Sequence, residues 1–129
     1  MRLLVFGGRR FTDRKAIYNG IAEALEWVST DVITTWMPPD GTVIIHGDCP
    51  TGVDSIVDDW AIVHWTRVER YPAEWEKYGK AAGPIRNQRM IDEGKPDKGL
   101  GFPGGAGTAD MARRLRKAGI PLIEWGLHP

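Results

Sequence analysis

The stretch Arg2-Leu3-Leu4-Val5-Phe6-Gly7-Gly8-Arg9-Arg10-Phe11-Thr12-Asp13 joins an apolar run of strand length to two glycines and then to a helix start. Unbroken apolar residues, rather than alternating ones, are what a strand buried on both faces requires. Asp13 or Thr12 supplies an N-cap, and Ile17, Ile21, Ala24, Leu25 and Val28 recur at helical spacing, which predicts a helix over roughly 13–29. Working outward, the same grammar repeats. Val43-Ile44-Ile45 is a second buried strand, followed by His46-Gly47-Asp48-Cys49-Pro50-Thr51-Gly52 and a helix with Val53, Ile56, Val57, Trp60, Ala61 and His64 on one face. Arg67–Tyr71 is a third, weaker strand, and residues 72–82 are an irregular segment rich in Trp and Tyr. Pro84 suits the first turn of a helix reaching about Glu93. Lys98–Phe102 is a fourth strand, Thr108–Ala118 a helix stopped by Gly119, and Ile120–Trp125 a fifth strand. Strands alternating with helices predict an α/β protein: a five-stranded parallel sheet with helices on both faces.

The 129 residues fit a single domain. With 17 basic and 17 acidic residues the net charge is zero, so nucleic acid held by a broad basic surface is not an expected partner. The one cysteine, Cys49, cannot form an internal disulfide and points to a reducing, cytoplasmic setting. The longest strongly apolar run, Leu3–Phe6, is far too short to span a membrane, and the N-terminus lacks a signal-peptide pattern. Exposed tryptophans in so short a chain leave a homodimer open. Trp27, Trp60, Trp65 and Trp125 read as core or interface aromatics.

The glycines cluster in three strand-to-helix loops: 7–13, 46–54 and 102–108. Right-handed crossovers bring all three to one edge of the sheet, where parallel α/β sheets hold ligands. Glycine lets backbone N–H groups approach an anion, and a helix N-terminus adds partial positive charge. Gly7, Gly8, Gly47, Gly52, Gly104, Gly105, Gly107 and Thr108 are therefore candidate phosphate-binding residues; each loop alone reads equally as a tight turn. None of the loops ends in Gly-Lys-Ser/Thr or matches Gly-x-Gly-x-x-Gly. Arg86 can grip a phosphate with two parallel hydrogen bonds, Asn87 can read a base or ribose, and Arg9 can close over the same anion; the competing reading is a solvated helix face. Trp75 and Tyr78 are candidates for stacking on a base, or for a lid packed over the sheet edge. Asp54, at a helix start, is either a dipole-complementing residue or a ribose-binding or catalytic carboxylate, with Asp48 and Glu74 as further candidates. Asp110 reads as a dipole partner, and Arg113, Arg114, Arg116 and Lys117 as a solvated basic face. His46, Asp48 and Cys49 are too few for a zinc site, so neither a metal nor a cofactor is expected.

These motifs carry a resemblance. Pro103-Gly104-Gly105-Ala106-Gly107-Thr108 resembles the PGGxGT motif of the SLOG superfamily, which includes DprA/Smf DNA-processing proteins and LOG phosphoribohydrolases. GGRRFTD, HGDCPTGVD, PAEWEKYGKAAGPIRNQRM and FPGGAGTADM, in that order from residue 7 to 111, resemble the YspA-type, YpsA-related branch. The resemblance implies a Rossmann-like sheet of order 3-2-1-4-5 and a nucleotide or nucleotide-derived small-molecule ligand, such as a phosphorylated nucleoside or an ADP-ribose-like compound. The LOG pattern continues PGGxGTxxE with a catalytic glutamate, and counting from Pro103 puts Met111 there. A thioether cannot exchange a proton, and Asp110 lies about 100° away around the helix. The LOG reaction therefore does not transfer directly. Three functions follow as expectations: a nucleotide-derivative sensor or carrier; an N-glycosidic-bond enzyme of phosphoribohydrolase or deoxyribosyltransferase type; and, weakest, DprA-like DNA processing.

Overall fold

Leu3, Leu4, Val5 and Phe6 are all buried because their strand has a partner on each side and a helix layer on each face. The computed structural model describes residues 1–27 and 38–125. It contains β1 (Arg2–Phe6), α1 (Arg14–Ala24), β2 (Val43–His46), α2 (Val53–Val63) and β3 (Arg67–Arg70). These are followed by α3 (Trp75–Tyr78), a 3-10 turn at Gly79–Ala81, α4 (Ala82–Asp92), β4 (Lys98–Gly101), α5 (Ala106–Lys117) and β5 (Leu122–Glu124). All four strand pairings are parallel, in the order β3-β2-β1-β4-β5. The α/β architecture expected from the sequence pattern and the strand order implied by the SLOG resemblance are the ones observed.

Pleating divides the core in two. Leu3, Val5 and Ile44 point to one face, where Ile17 and Ile21 of α1 and Val57 and Trp60 of α2 cover them. Leu4, Phe6 and Ile45 point to the other, under Met90 and Ile91 of α4 and Met111 and Leu115 of α5. Each fully buried Leu or Ile contributes roughly 1.5–3 kcal/mol. The chain runs from β1 toward β3 with its helices on one face, then returns across the sheet to β4 with its helices on the other. That reversal puts the topological switch point between β1 and β4.

Several boundaries differ from the sequence reading. Asp13, not Thr12, is the N-cap of α1, its Oδ1 accepting the Ala16 N–H at 3.0 Å. The helix ends at Ala24, and Val28 lies outside the described residues. α4 starts at Ala82, two residues before Pro84, since a proline in the first turn forfeits no helical hydrogen bond. α5 starts at Ala106, so Gly107 belongs to the helix. Part of the irregular segment is helical, as α3 and the 3-10 turn. Trp65 is 89% exposed and so is not a core residue, whereas Trp60 is buried and stacks on His64 at 4.5 Å. Among the described residues no helix is long and apolar enough to cross a membrane.

Candidate functional site

The three glycine loops meet at the switch point, and most of their glycines face one another. Phe102 N–H bonds the Phe6 carbonyl at 2.9 Å, Gly8 N–H bonds the Pro103 carbonyl at 3.0 Å, and Val53 N–H reaches the Gly8 carbonyl at 3.3 Å. A Cβ at Gly8 would lie 2.9 Å from Gly104 Cα, and one at Gly104 would lie 2.7 Å from Gly8 N. At Gly52, φ is +74° and a Cβ would overlap the Gly8 carbonyl oxygen. A Cβ at Gly7 would press on Val53, and one at Gly47 on the Arg86 guanidinium. These glycines shape the edge by letting the loops interlock. Gly105 and Gly107 differ: a Cβ at either would meet nothing within 4 Å. Ala109 N–H makes the first bond of α5, to Gly105 O at 3.1 Å, so the amides of Ala106, Gly107 and Thr108 precede the helical ladder. This helix start is exposed and glycine-lined, and its first amides lie outside the helical ladder.

Arg86 crosses the edge from α4. Its Nη1 donates to the carbonyls of Gly47 at 2.5 Å and Tyr71 at 3.4 Å, and its Nε donates to Asn87 Oδ1 at 3.0 Å. Burial works against its positive charge, the nearby Asp54 carboxylate offsets this, and the Arg9 cation adds to the cost. Arg9 is exposed, with its guanidinium carbon 5.9 Å from the centre of the Trp75 ring. Two cations thus face the same region with no acid in direct ion-pair contact with either among the described residues. Asn87 is 4% exposed; its Nδ2 donates to Asp110 Oδ2 at 3.0 Å and to Gly107 O at 3.3 Å. All its polar atoms are engaged inside the protein, so it reaches a ligand only through Arg86.

The acidic candidates separate. Asp54 is 7% exposed, its Oδ2 accepts the Cys49 N–H at 3.1 Å, and burial pushes its carboxyl above the usual carboxylate range. Asp48 is exposed at φ +56°, a conformation Asp tolerates, and its N–H donates to His46 Nδ1 at 2.9 Å. Glu74 is exposed and caps α3 through its carbonyl, which accepts the N–H groups of Lys77 and Tyr78. Tyr78 is 37% exposed, with the Lys77 ammonium 5.0 Å from its ring centre. The edge therefore gathers Gly7, Gly8, Gly47, Gly52, Asp54, Arg86, Asn87, Gly104 and Thr108, and Arg9 joins Trp75; Asp48 follows Gly47 and its charge helps raise the Asp54 carboxyl, while Glu74 and Tyr78 sit at the two ends of α3 beside Trp75.

The sequence reading missed a polar chain behind the second loop. His46, 1% exposed, donates from Nε2 to Asp58 Oδ1 at 2.8 Å, since its Nδ1 already accepts the Asp48 N–H. Arg70 Nε bonds the same carboxylate at 2.7 Å and holds it below the usual range. The available signal was the spacing of Asp54 and Asp58, which places two acids on one face of α2 beneath a strand-end histidine. Both imidazole nitrogens are engaged, and among the described residues no group of three His, Cys, Asp or Glu gathers to hold a metal. Asp110 was also underread. Besides Asn87 it binds Arg114 at 2.8 Å and Arg113 at 3.1 Å, so Arg114 is part of a network rather than a free solvated cation.

An α/β sheet of order 3-2-1-4-5 with glycine loops interlocked at its switch point defines a Rossmann-like protein with a candidate small-ligand edge. Residues 1–78 match the model of the YspA, cpYpsA-related SLOG family, and the chain belongs to that family. It is also similar to the Gene 61 protein of Mycobacterium phage D29, 35% identical over 138 aligned positions that cover 99% of this chain and 98% of that protein. No solved structure matches the chain significantly. The family match ends at Tyr78, before Arg86 and the Pro103–Thr108 loop, whereas the alignment with the phage protein takes in both.

Proposed function

We propose that this protein binds a nucleotide or nucleotide-derived ligand at the carboxyl edge of its sheet, as a sensor or carrier. The observation that carries this reading is the open start of α5 at Gly105–Gly107, on the edge that the Arg86 guanidinium crosses. A phosphate bonded by the first amides of α5 takes up donors that the helix leaves unsatisfied, and the helix dipole favours its charge. Arg86 keeps Nη2 for a charge-assisted bond, and Arg9 with Trp75 forms an exposed cation and ring suited to a phosphate and a stacked base. SLOG membership supports the ligand class. The site is an open edge: a groove of about 420 Å3 on the outer side of α4, lined by residues such as Pro84, Ile85 and Gln88, contains none of the candidate residues. A thermal-shift screen against nucleoside monophosphates, diphosphates and ADP-ribose tests this, with stabilisation expected for wild type and lost in Arg86→Ala. No shift with any phosphate ligand, and no difference in the variant, would contradict it.

A second reading, cleavage of an N-glycosidic bond, is favoured by one observation, the buried Asp54 with its raised carboxyl pKa. Such a group can donate a proton to the leaving base as the glycosidic bond breaks; its ionised form stabilises the oxocarbenium-like sugar and takes back a proton from the water that captures it. Chromatography of a nucleotide panel after incubation reads this directly. Free base from wild type and none from Asp54→Asn supports it; equal release from both proteins removes Asp54 from the reaction.

A further inference from the structure

A buried amide side chain is tolerated only when its polar atoms are satisfied, and at Asn87 the partners fix which atom goes where. Nδ2 faces two acceptors, the Asp110 carboxylate and the Gly107 carbonyl, so that position must be the NH2 group. The opposite atom is then the oxygen, and it receives Arg86 Nε. Asp110 is held in turn by Arg114 and Arg113, and Arg114 also donates to Gln88 Oε1 at 3.0 Å. Burial pushes the Asp110 carboxyl up, but the hydrogen bonds from Arg114 and Asn87 outweigh it and keep the group ionised.

We infer that Asn87 is a positioning residue: anchored to α5 by Asp110 and Gly107, it turns the Arg86 guanidinium across the ends of β2 and β3 and leaves Nη2 directed at the ligand edge. This deepens the ligand-binding reading and rests on it for its purpose, although the geometry of the relay does not. Residues adjacent on a helix do not ordinarily face each other, yet Arg86 Nε lies 3.0 Å from Asn87 Oδ1 while Nη1 reaches the carbonyls of Gly47 and Tyr71. With Nε and Nη1 engaged, only Nη2 has no partner among the described residues, so Arg86 can offer a ligand this one nitrogen rather than the two-nitrogen fork expected from the sequence. The relay also joins Arg86 to the start of α5, because Asn87 holds the carbonyl of Gly107, a residue of the first turn at which a Cβ would meet nothing within 4 Å. A ligand held by those amides and by Arg86 would therefore meet two groups set at a fixed separation by one side chain.

The test is arginine-detected NMR of the Arg86 Nε–H in the ligand-free protein, with calorimetric titration of ADP-ribose alongside. In Asn87→Ala the Nε–H signal is expected to move to the position of a free arginine and to exchange with water faster. ADP-ribose affinity is expected to fall by about tenfold, as for loss of one well-placed hydrogen bond to a charged group. Asp110→Ala, at a half-buried position, is expected to produce a weaker version of the same change, and it serves if Asn87→Ala does not fold. The exchanged pair Asn87→Asp with Asp110→Asn restores an acceptor for Nε and a donor–acceptor contact between 87 and 110, and should recover the signal and most of the affinity. An unmoved Nε–H in both single variants, or an exchanged pair no better than Asn87→Ala, overturns the inference. If ADP-ribose binds no version of the protein, the ligand reading falls, and the Nε–H signal still decides the relay.

Discussion

Asp54 is the one buried carboxylate among the described residues. It sits in the first turn of α2, buried, with the Cys49 amide as its bonded donor and Arg86 nearby. Its folded-state pKa lies above its unfolded value, so the stability it contributes is fully present below the unfolded value and is lost as pH rises through the folded one. Asp58, Glu69 and Asp110 have lowered values and act in the opposite sense, their stabilisation disappearing as pH falls through those values. They are common to wild type and Asp54→Asn and cancel in the comparison. Denaturant titrations should therefore show Asp54→Asn gaining stability relative to wild type between pH 4 and pH 7, because asparagine avoids the charge penalty. A difference that shrinks over that range would mean the carboxylate is well solvated or fully paired. The sequence located Asp54 at a helix start but not its burial; Arg86 of α4, more than thirty residues away in the chain, comes close to it.

The elements were largely legible because buried parallel strands read as unbroken apolar runs and their helices as 3.6-residue stripes. Arg67–Arg70 was harder: β3 is an edge strand, with Arg67 and Arg70 exposed and Val68 and Glu69 half-buried. The start of α5 was misplaced because glycine signals a turn, yet in the first turn of a helix its N–H needs no partner. The loop-to-loop packing was not legible, since nothing local distinguishes a glycine that meets a ligand from one that meets another loop. The structure separates them, and substitution to alanine should too. Gly8→Ala and Gly104→Ala would force backbone against backbone and should each cost about 1–3 kcal/mol. Gly107→Ala enters open space within a helix and should be neutral or stabilising by up to about 1 kcal/mol, while weakening ADP-ribose binding. Urea denaturation and calorimetry of the three variants separate the two kinds of glycine; a destabilised Gly107→Ala that binds normally would reverse the assignment.

At the scale of the molecule, zero net charge and a local cation pair belong together. The edge concentrates Arg9 and Arg86 at the carboxyl ends of the strands, while Arg2 is paired with Glu69 and Arg70 with Asp58. That distribution suits one small anion rather than a polymer backbone, which would need a broad unpaired surface. The most direct measurement is a 15N–1H correlation spectrum of the labelled protein titrated with ADP-ribose and, separately, with inorganic phosphate. Saturable shifts at the amides of Gly105, Ala106, Gly107 and Thr108 are predicted with both, joined by Arg9 and Trp75 with ADP-ribose alone. No shifts, or shifts confined to the outer groove at Pro84, Ile85 and Gln88, would contradict the account.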